Sequence, residues 1–464
     1  MGGPALSLSN PIPMEQDAVI QAMLRPETYP GSPDKIVHLQ THISHIFLAG
    51  GLAYKIKKPL DFGFLDFSSL AKRRYFCHQE VFLNRRLTTD IYLGVARISL
   101  HKEKLRVNGW GKTLEYAVLM REMPRERMMD RLLSAGQVTP KEIRALTRKL
   151  APFYQQARTG KGIDSFGRIE IVGKNTEENF IQTQPYVGRL ISRGMYQRIR
   201  NFSRAFLDRN HSIFQKRVQE GRIRDGHGDL HSGNICLDRK IQIYDCIEFN
   251  HRFRYADVAS DLAFLSMDLD FYGYPELSEL LIREYIRLSG DRELPRLLDF
   301  YRSYRSYVRA KVHSFASEEP ELPLREQRHH RQLARRYYRL ADGYARRLRA
   351  PRLLVVFGLM GTGKTSLAKA LAHKTGWPHI GSDETRKTLA GIASTARQWE
   401  PFGQGIYSER MSRKTYKEMR SEAERKLRQG NSVILETPLT RFRSMKEWHW
   451  ALPWSRKGDG FLPV

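Results

Sequence analysis

The stretch from His227 to Asp261 constrains this chain more than any other: HGDLHSGNICL, a short gap, IYDCIEFN, then RYADVASDLAF. Asp229 precedes Asn234 by five positions on what reads as a turn leaving a helix, and Asp245 closes a predicted short strand, Lys240 to Asp245. Two carboxylates and an amide then fall within reach of one point. Phosphoryl transfer from a nucleotide needs such a grouping. One carboxylate accepts the proton of the attacking hydroxyl, while an Asn oxygen and a second carboxylate hold Mg²⁺ against the phosphates. Asp229 is thus the candidate base, and Asn234 and Asp245 are the candidate metal ligands, hard oxygens of the kind Mg²⁺ selects. Asp and Asn in loops more often cap helices and line turns. His-Gly-Asp, an Asn at this offset and a strand ending in Asp together reproduce the spacing of a kinase catalytic loop.

HGDLHSGNICL followed by IYDCIEFN resembles the aminoglycoside phosphotransferase and choline kinase branch of the protein-kinase-like fold, whose catalytic loop reads His-Gly-Asp. The resemblance implies an α+β bilobal domain, with a small β-rich lobe, a larger helical lobe and ATP between them. It also implies that Asp261 or Asp257 buttresses the catalytic loop.

Upstream, Lys35 to Lys58 alternates in strand fashion, with Gly50-Gly51 as a hairpin turn between runs of β-branched and aromatic residues. Lys55, in AYKIKKP, is the candidate for the lysine that grips the α- and β-phosphates; Lys57 shares its face, and the bland reading is solvated lysines on an edge strand. No Gly-rich loop of the protein-kinase type precedes it, so amides near Ser44 and His45 are expected to cover the phosphates. The helix SLAKRRYFCHQEVFLNRRL places Glu80 beside its apolar stripe, where a carboxylate would orient the lysine. Two further strands follow, IYLGVARISL and LEYAVLMREMP, and Leu119 to Met123 are expected to line an adenine slot. Beyond Asp261 the pattern is almost wholly helical to Ala350.

The texture changes at Pro351. The apolar strand Leu353 to Phe357 runs into Gly358-x-x-x-x-Gly363-Lys364-Thr365 and an amphipathic helix, the context that makes a P-loop match specific. Gly358, Gly361 and Gly363 let backbone amides close on a phosphate, with Lys364, Thr365 and Ser366 at the helix start; Thr365 also offers its hydroxyl to Mg²⁺. The continuation IGSDETRKTLAGI is similar to small P-loop kinases of the gluconate kinase and zeta-toxin type. That similarity makes Asp383 a candidate base and Arg386 a candidate ligand for an anionic acceptor group. Helix capping by Ser382 or Asp383 is the competing reading. The strand SVILET ends in Glu436 where that family has Asp. The tail WHWALPWSRKGDGFLPV holds three of the six tryptophans without helical or strand period, so the α/β P-loop domain with its parallel sheet is expected to be incomplete after about Arg441.

With 464 residues, two domains are expected: an extension over 1–30, a kinase-like domain over 31–345 and a P-loop domain over 351–464. Three cysteines without metal-ligand spacing imply neither a disulfide framework nor a zinc site and fit a reducing cytoplasm. No apolar run approaches a membrane span, and the N-terminus lacks the pattern of a signal peptide. The formal charge of +28 attracts polyanions. Much of it is Arg dispersed along helices, so nucleic acid is a possible partner but not the favoured one. The leading expectation is an ATP- and Mg²⁺-dependent phosphotransferase acting on a hydroxyl of a small molecule, an anionic one suiting the field better. The alternative is a nucleotide-regulated nucleic-acid-binding protein.

Overall fold

The computed structural model describes residues 14–320, 322–347, 352–359, 361–393, 404–428 and 432–438. The chain divides into two compact units, 1–345 and 346–464. The tail beyond 438, and with it the expected incompleteness of the P-loop domain, lies outside the described residues, as do positions 1–13.

The first unit begins with α1 (Met14–Ala22), β1 (Ile36–Gln40), β2 (Ser44–Ala49), β3 (Leu52–Lys57), α2 (Leu70–Asn84), β4 (Tyr92–His101), β5 (Lys104–Val107) and β6 (Lys112–Arg121). These strands form one antiparallel sheet in the order β1-β2-β3-β6-β4-β5. Gly50 and Gly51, both at positive φ (61° and 75°), turn β2 into β3, as a tight hairpin requires. Alternation splits the sheet. Phe47, Tyr54, Ile56 and Ala117 pack on one face, partly with α1, while Ala53, Val118 and Met120 pack with Cys77 and Val81 of α2 on the other. Ser69 caps α2 by accepting the Lys72 N–H.

A helical layer follows: α3 (Met129–Ser134), α4 (Pro140–Gln156), α5 (Lys161–Asp164), α6 (Ile169–Gln182), α7 (Arg193–Arg209) and α8 (His211–Gln219). Three short strands come next, β7 (Ile223–Asp225), β8 (Ile235–Leu237) and β9 (Ile241–Ile243), then α9 (His251–Arg254) and β10 (Tyr255–Asp257). The unit closes with α10 (Val258–Phe271), α11 (Pro275–Ser289), α12 (Pro295–Ala316) and α13 (Leu324–Arg347). Every residue of α10 from Val258 to Leu269 is buried, so it is the axis of the large core. A helix buried all round has no amphipathic stripe to read.

Three sequence expectations need correction. The stretch bearing Asp229 leaves β7, not a helix. The strand before Asp245 stops at Ile243, so Asp245 sits in the following loop. The backbone near Ser44 is committed to the sheet and its turn, with the Ser44 N–H on Thr41 Oγ1 at 3.0 Å and Ser44 and His45 both buried. The hairpin tip is residues 41–43.

The second unit holds β11 (Leu353–Gly358), α14 (Lys364–Thr375), β12 (His379–Gly381), α15 (Ser382–Leu389), α16 (Glu409–Arg428) and β13 (Val433–Pro438). Its sheet is parallel, in the order β11-β13-β12. No helix among the described residues is long and apolar enough to cross a membrane.

Candidate active site

The loop 226–234 is held from below by α10. Asp261 accepts the His227 N–H at 2.8 Å and the Gly228 N–H at 3.1 Å, and also the Tyr154 hydroxyl at 3.0 Å. Seven residues on, and therefore on the same side of the helix, Asp268 accepts the Ser232 N–H at 2.8 Å and the Ser232 hydroxyl. Arg305 of α12 donates to Gly228 O at 2.9 Å. Gly228 has φ +85°, and a Cβ there would lie 2.8 Å from Phe253 O, so this position in His-Gly-Asp demands glycine. Asp257 has a different use: it pairs with Arg217 at 2.6 Å and caps α10 through the Ala259 N–H.

Asp229 is thus displayed on a pinned backbone. Asn234 Nδ2 donates to its carbonyl at 3.0 Å and its Oδ2 at 3.1 Å, and His231 Nε2 stands 3.4 Å from Oδ2. His227 Nδ1 accepts the Asp229 N–H while Nε2 meets Tyr244 O at 3.0 Å, an arrangement that suits a neutral ring. Burial lowers the His227 pKa accordingly. Burial works to raise the Asp229 carboxyl, but His231 and Arg309 outweigh it and hold the pKa well below the usual carboxylate range. About a third of the side chain (35%) remains open to solvent.

The hairpin β8–β9 pairs Ile235 with Ile243, which brings Asn234 beside Tyr244, its O accepting the Tyr244 N–H at 3.0 Å. Asp245 comes next, at φ +62°, a left-handed conformation that costs a non-glycine residue of order 1 kcal/mol. Its N–H reaches the Tyr92 hydroxyl at 3.3 Å. Its Oδ1 takes Lys55 Nζ at 2.6 Å, and the same ammonium reaches Glu80 Oε1 at 2.9 Å. Lys55 is therefore joined to both partners from distant parts of the chain. Lys57, fully buried, contacts Glu80 Oε2 at 2.6 Å and Glu248. Around these groups stand three carboxylates and two ammonium groups, an excess of negative charge that suits a cation.

The donor set fits Mg²⁺. Asn234 spends its amide hydrogens on Asp229, which leaves Oδ1 as an acceptor, and Asp245 keeps a second oxygen on a side chain 42% exposed. No group of three or more His, Cys, Asp or Glu among the described residues forms a metal cage. A site completed by substrate phosphates is the usual Mg²⁺ arrangement. Of the residues expected to line an adenine slot, Met120 and Met123 lie on the α2 side of the sheet with Tyr244. Leu119 alternates to the opposite face, as a strand residue must.

In the second unit, Gly361 and Gly363 take left-handed φ of 82° and 81° and lead into α14. Gly358 ends β11, and Ser366 is exposed in the first turn of α14. Lys364 Nζ folds back onto Leu359 O, and Thr365 Oγ1 donates to Glu436 Oε1 at 2.9 Å. His379, 3.4 Å from Glu436, and then Thr365 lower the Glu436 pKa against burial. Asp383 is 57% exposed and paired with Lys387 at 2.8 Å, within its own helix. Neither it nor Ser382 caps α15, whose N-cap is Gly381. Arg386 is buried, stacked over Tyr407 at 5.1 Å.

The uncharacterized proteins Rv2004c of Mycobacterium tuberculosis and Mb2027c of Mycobacterium bovis are each 32% identical to this chain over 400 residues. The match covers 86% of this chain and 77% of theirs. The chain belongs to the family of these mycobacterial proteins. An AAA domain family model (AAA_33) matches residues 353–455, so this family member carries a P-loop-type domain in its second unit. Among solved structures, a choline/ethanolamine kinase family protein from Mesorhizobium loti is 12% identical with a TM-score of 0.40, over 72% of this chain and 100% of its own. The choline kinase LicA from Streptococcus pneumoniae is 13% identical with a TM-score of 0.39, over 70% and 99%.

Four side chains of this family member's cleft went unread in the sequence. Asp268 could have been found as an Asp seven residues after Asp261, on the same side of a largely apolar helix. His231 had a signal in its place two residues after Asp229. Glu248 and Arg309 had none, because only the tertiary fold brings them to the cleft.

Proposed function

We propose that the first unit is an ATP- and Mg²⁺-dependent phosphotransferase acting on a hydroxyl of a small, anionic molecule, and that the second binds ATP through Gly358 to Ser366. One observation carries this reading: Lys55 joins Glu80 to Asp245, in the same cleft where Asn234 is hydrogen-bonded to Asp229. Bound Mg²⁺ would neutralise phosphate charge at Asn234 and Asp245. Lys55, steadied by Glu80, would bind the α- and β-phosphates. Met120, Met123 and Tyr244 offer an apolar surface for the base.

Asp229, ionised at neutral pH, would accept the hydrogen bond of the acceptor hydroxyl and orient its oxygen. As that oxygen bonds to the γ-phosphorus, the bond from phosphorus to the β-bridging oxygen breaks, ADP departs and the hydroxyl proton passes to Asp229. So acidic a carboxylate takes the proton late, which a loose transition state permits. Among the described residues Arg309 has no ion pair. Its guanidinium lies 5.6 Å from the Tyr337 ring, Nε is without a hydrogen-bond partner, and it acts electrostatically on Asp229. A guanidinium beside the base, hydrogen-bonded to Tyr337 but in no carboxylate ion pair among the described residues, on a chain of charge +28, favours an acceptor bearing phosphate or carboxylate.

A screen of matched neutral and phosphorylated sugar alcohols and nucleosides with the full chain, Mg²⁺ and labelled ATP tests this. We expect label on the anionic members, lost in Asp229→Asn. Label confined to neutral or cationic members would contradict the acceptor class, and transfer that survives Asp229→Asn would contradict the site.

A further inference from the structure

Lys57 and Glu248 form a buried ion pair that the reaction above does not use. The Lys57 side chain is 0% exposed and that of Glu248 5%. Lys57 Nζ donates to Glu248 Oε1 and to Glu80 Oε2, the latter at 2.6 Å, and lies 4.8 Å from the centroid of the Phe67 ring. Its backbone carbonyl accepts Gln16 Nε2 at 3.0 Å, which ties this end of β3 to α1.

The spacing repeats. Lys55 and Lys57 are two residues apart on one face of β3, and Asp245 and Glu248 are three apart on the loop below. Two parallel rungs, Lys55 to Asp245 and Lys57 to Glu248, therefore join strand to loop, and Glu80 bonds to both lysines between them. Nucleotide and metal draw on the first rung only: Asp245 is needed by the cation and Lys55 by the phosphates. If Lys55 turned away with no second rung present, Glu80 would be a buried carboxylate without a cation, which is costly. Lys57 removes that cost.

We propose that Lys57 and Glu248 are positioning residues for phosphoryl transfer, holding Glu80 and the Asp245 loop in place while Lys55 exchanges Asp245 for the nucleotide phosphates. The proposal rests on the kinase reading of this cleft. Stability alone is a poor account of the pair, because apolar residues of similar volume usually serve as well. Burial pushes the Glu248 carboxyl up against the pull of Lys57. Lys57, by contrast, is kept charged by Glu248 and Glu80 although burial opposes it. Burial thus opposes the charge on Glu248 that Lys57 favours.

The test uses the full chain with Lys364→Ala throughout, so that only the cleft is scored, and compares Lys57→Met/Glu248→Leu, Glu248→Gln and Lys55→Met. Thermal midpoints are read beside the affinity for a fluorescent, non-hydrolysable ATP analogue with Mg²⁺. The apolar pair should keep a midpoint within a few degrees of the parent yet bind the analogue roughly tenfold or more weakly, within the usual range of coupling between sites. Glu248→Gln, which preserves shape, should show the same split to a smaller degree and serves if the double variant does not fold. Parent-like affinity, within about twofold, in whichever of these variants keeps the parent midpoint overturns the proposal. An analogue that binds Lys55→Met as well as the parent overturns the kinase reading itself, and this proposal with it.

Discussion

The two regions proposed to bind phosphate are built by different rules. In the first unit the lysine and the loop that displays Asp229 are held by residues far away in sequence, Lys55 by Glu80 and Asp245 and the loop by Asp261 and Asp268, while the Asp229 carboxylate itself is met by the nearby Asn234 and His231. In the second, the P-loop is largely its own support. Lys364 rests on Leu359 O five residues back, and Asp383 is paired with Lys387 one turn on; Thr365 and His379 reach across the unit to Glu436. A cleft whose charges are fixed by tertiary contacts is preorganised for a reaction. A loop whose amides converge by local geometry cradles a phosphate wherever the motif folds.

The largest loss should come from Asp245→Asn. It removes a proposed metal ligand and leaves Lys55 with one carboxylate. Phosphoryl transfer should fall about 10³-fold, with a raised Mg²⁺ requirement, in steady-state ADP release; an unchanged Mg²⁺ dependence would remove Asp245 from the site. Lys55→Met should lower the rate about 10²-fold by losing a positive group aimed at the phosphates, and single-turnover mixing would show whether the loss lies in chemistry or in binding. Lys364→Ala should reduce the nucleotide bound at saturation from two per chain to one, measurable by calorimetry. Two sites remaining would mean that the amides alone suffice.

A smaller effect concerns acid. Burial works to raise the Glu80 carboxyl, but Lys55 and Lys57 hold it down to about 2, below its ordinary 4.5. A carboxylate depressed in the folded state contributes stability that is present above about pH 4.5 and is lost as the pH falls toward about 2. Glu80→Gln should therefore flatten the fall of the thermal midpoint across that window, and a slope equal to the parent's would show Glu80 unpaired. The smallest effect expected is that of Asp383→Asn: under about threefold on turnover by either unit, because this carboxylate is exposed and locally paired. A loss as large as that from Asp245→Asn would erase the contrast between the units.

Short-range chemistry was legible in the sequence. His-Gly-Asp with Asn234, the strand alternation that puts Lys55 and Lys57 on one face, the helical position of Glu80 and the glycine spacing of the P-loop are all local patterns; Lys55, Glu80 and the P-loop glycines fall on the elements expected, whereas the Asp229 turn follows β7 and not a helix. What escaped depends on contacts between distant segments. The two candidates Asp257 and Asp261 were separated only by the fold, where Arg217 claims the first and the 227–228 amides claim the second. Lys57 reads only as a lysine that shares the face of Lys55, because nothing nearby in sequence announces Glu248 as its partner. Asp245 was placed at a strand end because apolar alternation runs up to it, whereas the positive φ it adopts belongs to a loop.

The most direct measurement is ADP release by the full chain carrying Lys364→Ala, with and without Asp229→Asn, at saturating Mg²⁺ and acceptor. Turnover should persist with Lys364→Ala alone and fall about 10³-fold when Asp229→Asn is added. Turnover abolished by Lys364→Ala alone, or indifferent to Asp229→Asn, would contradict the kinase reading of the cleft.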